Sequence, residues 1–266
     1  MLSLLAVPFE KPTTADFVWP CIGGAVRLGG ITFCFNFIVL LLLIAFVSFI
    51  LLFLLAFSRP RIVPERTARG KLQLLMEYGV DFVRTQIMAQ MIGPEGTPFL
   101  PLLATLFFFI FLGNILEVVP GFSFPLNSRL AFPLVLALIS WVTYNYVGVR
   151  RHGLWGYLRS VMFPPGAPVF LYVLLTPIEL ISVIFLRPVT LTIRLFANMV
   201  AGHFLLAVFF LGSLALITGF PYLLGAVSFG IAVVLVGFEI FVSALQAFIF
   251  AVLTASYIGG AMAEEH

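Results

Sequence analysis

From Ile31 to Ser58 the chain is an almost unbroken run of Phe, Leu, Ile and Val. That run is longer than the roughly 20 residues needed to cross a hydrocarbon core about 30 Å thick, and it predicts a first membrane helix. A second span is predicted from about Phe99 to Val119, closed by Pro120-Gly121, and a third from about Arg129 to Val149, closed by Arg150-Arg151-His152. Between the first two, from about Glu65 to Met91, charged Glu77, Asp81 and Arg84 alternate with Leu74, Leu75, Val80, Phe82 and Met88. This is the pattern of an amphipathic helix lying on a membrane surface. From about Val169 to Leu216 some 48 residues pass with no loop-like polar cluster. A straight helix of that length would reach roughly 70 Å. Either it is two spans with a buried turn, or it is one strongly tilted helix with Pro177 and Pro188 as candidate kinks. A similar run from about Leu224 to Met262 follows Thr218-Gly219-Phe220-Pro221, so the two predict a helical hairpin. The expected fold class is an all-α polytopic membrane protein with about five membrane helices plus an amphipathic surface helix, the last two spans long and strongly tilted.

Composition agrees. Of 266 residues 62% are hydrophobic and 9% charged, against roughly 25% charged in a soluble domain, and the mean hydropathy is +1.18. A soluble enzyme is excluded. The net charge of +3 comes from Arg-rich loops, which read as topology signals and not as a nucleic-acid surface. Arg59, Arg61, Arg66, Arg69 and Lys71 fall in one short window with Pro60 and Pro64. By the positive-inside bias that loop is cytoplasmic, which places the N-terminus outside and, by parity, Arg150-Arg151-His152 and the C-terminus inside. The first 30 residues, with Lys11, Asp16 and three prolines, lack the pattern of a cleaved signal. The domain layout is therefore an external segment over 1–30, a first membrane helix over 31–58, a basic loop and surface helix over 59–97, and an embedded domain over 98–266. Cys21, Cys34 and three scattered histidines have no metal-binding or redox spacing, so neither a metal nor a cofactor is expected.

The chemistry lies in six ionisable residues inside apolar stretches: Glu117, Glu179, Arg187, Arg194, His203 and Glu239. A charge at mid-membrane costs from about 3 to more than about 10 kcal/mol, depending on the reference state. Each alone could be a snorkelling side chain or a structural ion pair; together they point to an ion pathway. Arg194 is the most informative, because a guanidinium keeps its charge at any accessible pH: it can attract a carboxylate but cannot relay a proton. Arg187 shares its helical face, Asn198 lies one turn further on, and His203 points the other way. On the last helix Glu239, Ser243, Gln246 and Tyr257 fall on one stripe, which needs a polar neighbour. If Arg194 and Gln246 share a level, His203 and Glu239 share another, farther out. Glu117 belongs to that outer half and Glu179 lies on the inner side. A permanent cation thus divides the titratable groups into two sets, as a path made of two half-channels requires. An imidazole is the side chain suited to handing on protons near neutral pH, which makes His203 a candidate relay.

At these residues the sequence closely resembles the subunit a family of F-type ATP synthases. The resemblance rests on R-L-F-A-N-M-V-A-G-H, Arg194 to His203, on L-Q-A-F-I-F-A-V-L-T-A-S-Y, Leu245 to Tyr257, and more weakly on G-N-I-L-E-V-V-P-G, Gly113 to Gly121. It covers roughly Phe99 to the C-terminus. It implies that Arg194 is the essential arginine facing a rotor ring of c subunits, with Asn198 and Gln246 beside it, and that the final hairpin packs against that ring. His203 and Glu239 take the positions of the outer half-channel, and Glu117 a position acidic in some members. Glu179 resembles the acid preceding the arginine helix, although its spacing to Pro188 is one residue longer than the usual pattern. The implied activity is proton translocation coupled to rotation, with ATP chemistry on other subunits. The implied partners are the c-ring, the b subunits of the peripheral stalk, the remaining ATP synthase subunits and membrane lipids, in a bacterial plasma membrane.

Two other readings compete. A stand-alone proton-coupled transporter would also place Arg, His and Glu at mid-membrane, but such folds show internal repeats and none is found here. A membrane-embedded lipid transferase would need an interfacial catalytic cluster. His152 with Arg150 and Arg151 is the one candidate, and it reads as a juxtamembrane basic loop.

Overall fold

The computed structural model describes residues 21–28, 31–36, 71–115, 130–163, 172–217 and 222–263, together with the helical positions Leu40, Leu43, Val47 and Ile50. The predicted first membrane helix therefore lies largely outside the described residues. Its expected first turns are different in kind: strand β1 (Cys21–Leu28) pairs antiparallel with β2 (Ile31–Asn36), Leu28 opposite Ile31 and Arg27 opposite Thr32. Ile31-Thr32-Phe33-Cys34-Phe35 is rich in the β-branched and aromatic residues that favour strands. Apolar content alone does not separate such a strand from the start of a span.

Helices make up the rest of the described chain. Helix α1 (Lys71–Phe82) runs on through a π-helical turn (Val83–Met88) and a last turn to Met91. It is amphipathic as expected, with Met76, Val83 and Ile87 buried while Asp81 and Arg84 are exposed. Leu74, Leu75 and Phe82, read from the sequence as part of its apolar side, are exposed too, so this helix has one apolar stripe packed on the protein and another left for a non-aqueous neighbour. A 3-10 turn (Pro94–Phe99) leads into α2 (Leu100–Ile115).

Helix α3 (Ala131–Met162) passes the predicted end at Val149 and bends at Gly153, whose φ of 72° only glycine adopts without strain. The exposed Trp155 just past the bend, beside Arg150 and Arg151, is the aromatic and basic pair that marks a membrane interface.

Helix α4 (Tyr172–Ile181), a π turn (Ser182–Leu186) and α5 (Arg187–Ile217) are continuous, so the long apolar run is one helical path and not two spans. Helix α6 (Tyr222–Met262) has 41 residues. Among the described residues four helical stretches are long and apolar enough to cross a membrane: Pro94–Ile115, Ala131–Met162, Leu174–Ile217 and Tyr222–Met262. At 1.5 Å per residue α6 is about 60 Å long, and since apolar residues dominate it from end to end it fits a core about 30 Å thick only by lying oblique.

The chain forms two compact units, one of Met1–Leu51, Leu112–Ser128 and Ala197–Ala244, the other of Leu52–Phe111, Arg129–Phe196 and Leu245–His266. The core of the second holds Leu106 and Ile110 of α2, Leu136 and Ala137 of α3, Leu191 and Leu195 of α5, and Ala247 and Phe250 of α6. In the first, the far half of α5 meets the near half of α6: Ser228 donates to the Phe209 carbonyl at 3.1 Å, and the Phe210 and Phe229 rings stand edge to face 6.1 Å apart.

Candidate functional site

In the second unit Leu191 and Leu195 of α5 share a buried core with Ala247 and Phe250 of α6, and Arg194 and Gln246 are sequence neighbours of these core residues. Gln246 is buried, whereas Arg194 is exposed in the middle of the span Leu174–Ile217. Its neighbours along that side, Val189 and Ile193, are exposed and apolar. Thr190, Ala197, Asn198 and Ala201, one to two turns away, are exposed as well, and all are small or polar.

In the first unit the Glu239 carboxylate lies against the backbone of Gly202; a Cβ added to Gly202 would stand 2.6 Å from its carboxyl carbon. Gly202 therefore lets a buried acid of α6 approach α5 beside His203, and His203 and Glu239 share a level, as helical geometry predicts. Nothing in composition or periodicity singles out Gly202; only the contact does. Glu239, Ser243 and Gln246 are buried and Tyr257 half-buried, so the polar stripe on α6 faces protein. The Ser243 hydroxyl, 1% exposed, has no hydrogen-bond partner among the described residues. Glu117 lies outside the described residues.

Glu179 of α4 accepts a 3.0 Å hydrogen bond from Arg187. The Arg187 guanidinium lies 5.0 Å from the centre of the Tyr257 ring and 5.9 Å from that of Tyr144. Although the sequence places Arg187 on the face of Arg194, its side chain turns to these partners. The π turn makes the pair possible. It holds one residue more than an α turn, so the eight steps from Glu179 to Arg187 cover the rotation of about seven, close to two full turns.

In that turn the Arg187 N–H donates to the Ser182 carbonyl, five residues back. The equivalent donor for Val183 would be Pro188, which has none. The Val183 carbonyl is taken instead by Trp141 Nε1 at 3.0 Å and the Tyr144 hydroxyl at 2.9 Å.

Glu179, Arg187 and Tyr257 line an open cavity of about 240 Å³ with His152, Tyr157 and Ser160 of α3, Gly260 and Ala261 near the end of α6, and Ala263 just beyond it. His152 thus joins a polar vestibule, which its place in a basic loop did not reveal. At the same end of this unit Arg151 pairs with Glu95. Among the described residues no three His, Cys, Asp or Glu side chains converge to hold a metal ion.

Residues 38–259 match the family described as ATP synthase A chain. A protein of Frankia alni named ATP synthase subunit a is 42% identical over 97% of this chain and 88% of its own length. One of the same name from Rhodococcus erythropolis is 38% identical over 99% and 94%, and one from Streptomyces lividans 40% over 87% and 81%. With its apolar spans, its mid-span arginine and this agreement along nearly the whole length, the chain belongs to the ATP synthase A chain family.

Proposed function

We propose that this chain is the stator subunit that couples transmembrane proton flow to rotation of a c-ring in an F-type ATP synthase of a bacterial plasma membrane, with its N-terminus outside and its C-terminus inside. A single observation carries the reading: a permanently charged guanidinium stands exposed at the middle of an apolar span. Lipid is an untenable neighbour for it, since a charge there costs at least several kcal/mol. The small and polar residues around it suit close approach of another helix bearing a carboxylate.

On this reading a proton enters from the outer side past Glu117, His203 and Glu239 and neutralises a ring carboxylate, which then turns away from Arg194 into lipid. After nearly a full turn the carboxylate reaches the vestibule at Glu179 and Tyr257 and releases its proton inward. Arg194 attracts the ionised ring carboxylate strongly in a low-dielectric setting and bars a direct leak between the two paths. Asn198 and Gln246 flank it at the ring-facing and protein-facing sides. Peripheral-stalk b subunits hold the chain against the torque, and ATP chemistry takes place on other subunits.

The test is ATP synthesis and proton flux in membrane vesicles carrying Arg194→Ala in the assembled complex. Coupled synthesis is expected to disappear, and normal synthesis would refute the reading. His203→Ala and Glu239→Ala are expected to give similar partial defects that are strongly non-additive together; simple additivity would argue against a shared outer path.

A further inference from the structure

We propose that Arg187 is a positioning residue of the inward proton path: a second fixed cation that holds the Glu179 carboxylate at the wall of the vestibule and returns it there after each proton it passes. This rests on the stator reading above and adds a residue to it.

Three features separate this pair from an ordinary surface salt bridge. First, both side chains are partly open, 26% for Arg187 and 37% for Glu179, and both line one open cavity, so the acid can exchange protons with solvent without leaving its partner. Second, the guanidinium is held independently of Glu179 by the faces of Tyr144 and Tyr257, contributed by α3 and α6. When Glu179 is protonated and its charge vanishes, the cation therefore stays in place and the carboxylate has a fixed point to rebind. Third, the helix departs from α geometry at the one turn between them, and that departure is held by Trp141 and Tyr144 on the Val183 carbonyl. The Tyr144 that braces the turn also lies under the guanidinium, so one side chain fixes both ends of the arrangement. The other titratable groups facing the pair are His152 and Tyr157 of α3 and Tyr257 of α6.

The proton balance is simple. A proton from the ring side moves to Glu179, its charge-assisted bond to Arg187 weakens, the proton leaves to water in the vestibule, and the bond re-forms; no group is oxidised and Arg187 never gives up a proton.

The experiment uses the whole ATP synthase in inverted membrane vesicles, whose medium faces the vestibule and whose lumen faces the outer path. Arg187→Gln is expected to slow synthesis by about tenfold, the scale of one lost charge-assisted hydrogen bond. It should alter the dependence on medium pH while leaving the dependence on lumenal pH as in the unmodified enzyme. Arg187→Lys, which keeps the charge, should restore most of the rate. Glu179→Gln with Arg187→Gln should be no worse than Glu179→Gln alone, because Arg187 acts through Glu179. Unmodified rates and pH dependence in Arg187→Gln, equal loss in the Lys and Gln variants, or additive loss in the double variant would each overturn the proposal. Should Arg187→Gln fail to assemble, Tyr257→Leu removes one aromatic wall and leaves both charges. The same medium-side change is then expected, and an unmodified profile overturns the idea. Arg194→Ala in the same vesicles reports on the stator reading separately: it fails if that variant still makes ATP, whereas loss there with an unaffected Arg187→Gln sinks the present inference alone.

Discussion

At the scale of single residues, the chemistry depends on what is missing as much as on what is present. Gly202 has no side chain where the Glu239 carboxylate needs room. Replacing an interior helical glycine by alanine favours a helix by about 1 kcal/mol, so Gly202→Ala should not unfold α5. It should instead push the carboxylate away from its seat beside His203. ATP-driven proton pumping is expected to fall several-fold in Gly202→Ala and to recover in part when Glu239→Asp draws the carboxylate back by one methylene. Pumping that stays normal in Gly202→Ala would show that the seat is unimportant. Ser243 is a similar case, a buried hydroxyl one turn from Glu239 with no partner among the described residues. Buried polar atoms are rarely left unpaired, and water commonly fills the role. Ser243→Ala should therefore leave the complex as stable as before, within about 1 kcal/mol, while slowing proton entry; a stability loss with unchanged pumping would assign the hydroxyl a purely structural bond.

At the scale of elements, the π turn at Ser182–Leu186 is the decisive piece of local structure. It leaves the Val183 carbonyl without a backbone donor inside an apolar span, where an unsatisfied carbonyl costs several kcal/mol. Trp141 and Tyr144 share that duty. Trp141→Phe and Tyr144→Phe should each cost about 1 kcal/mol, and the double variant clearly more than their sum, since only it orphans the carbonyl. Thermal release of the subunit from the detergent-extracted complex would measure this, and strict additivity would contradict it. Little of this turn was legible beforehand. Apolar runs located the spans because burial in lipid acts on composition over about 20 residues. A π turn and a glycine bend are decided by one backbone hydrogen bond or one dihedral angle, to which hydropathy is blind. The same blindness placed the end of α3 at Val149, where the charges begin, although the helix continues to the bend at Gly153. In the candidate site the charged residues stood out in the sequence as ionisable groups inside apolar runs, but the partners of Arg187 did not. Nor did the aromatic and histidine walls of the vestibule, because they come from helices far apart in sequence.

For the whole molecule, the distribution of exposed apolar surface says which sides meet something other than water. In Pro94–Ile115 39% of the most apolar window is buried within the protein, but in Leu174–Ile217 only 11%, so the helix that carries Arg194 presents most of its surface outward. Lipid can cover Val189, Ile193 and Leu205, but it cannot cover Arg194, and an exposed row of Thr190, Ala197, Asn198 and Ala201 gives lipid tails little to pack against. The two demands are met together if that side faces a protein helix carrying an acid. In a chain whose Cys21 and Cys34 are replaced by Ser, single cysteines at Ala197, Asn198 and Ala201 should therefore cross-link to a ring subunit. Cysteines at the buried Leu195 and Met199, on the same helix and at the same depths, should not. Equal cross-linking from both sets would mean that α5 has no preferred outward side. Cross-linking from neither, with lipid probes labelling the exposed set, would leave the guanidinium in hydrocarbon without a counter-charge, an arrangement too costly to persist in a folded membrane protein.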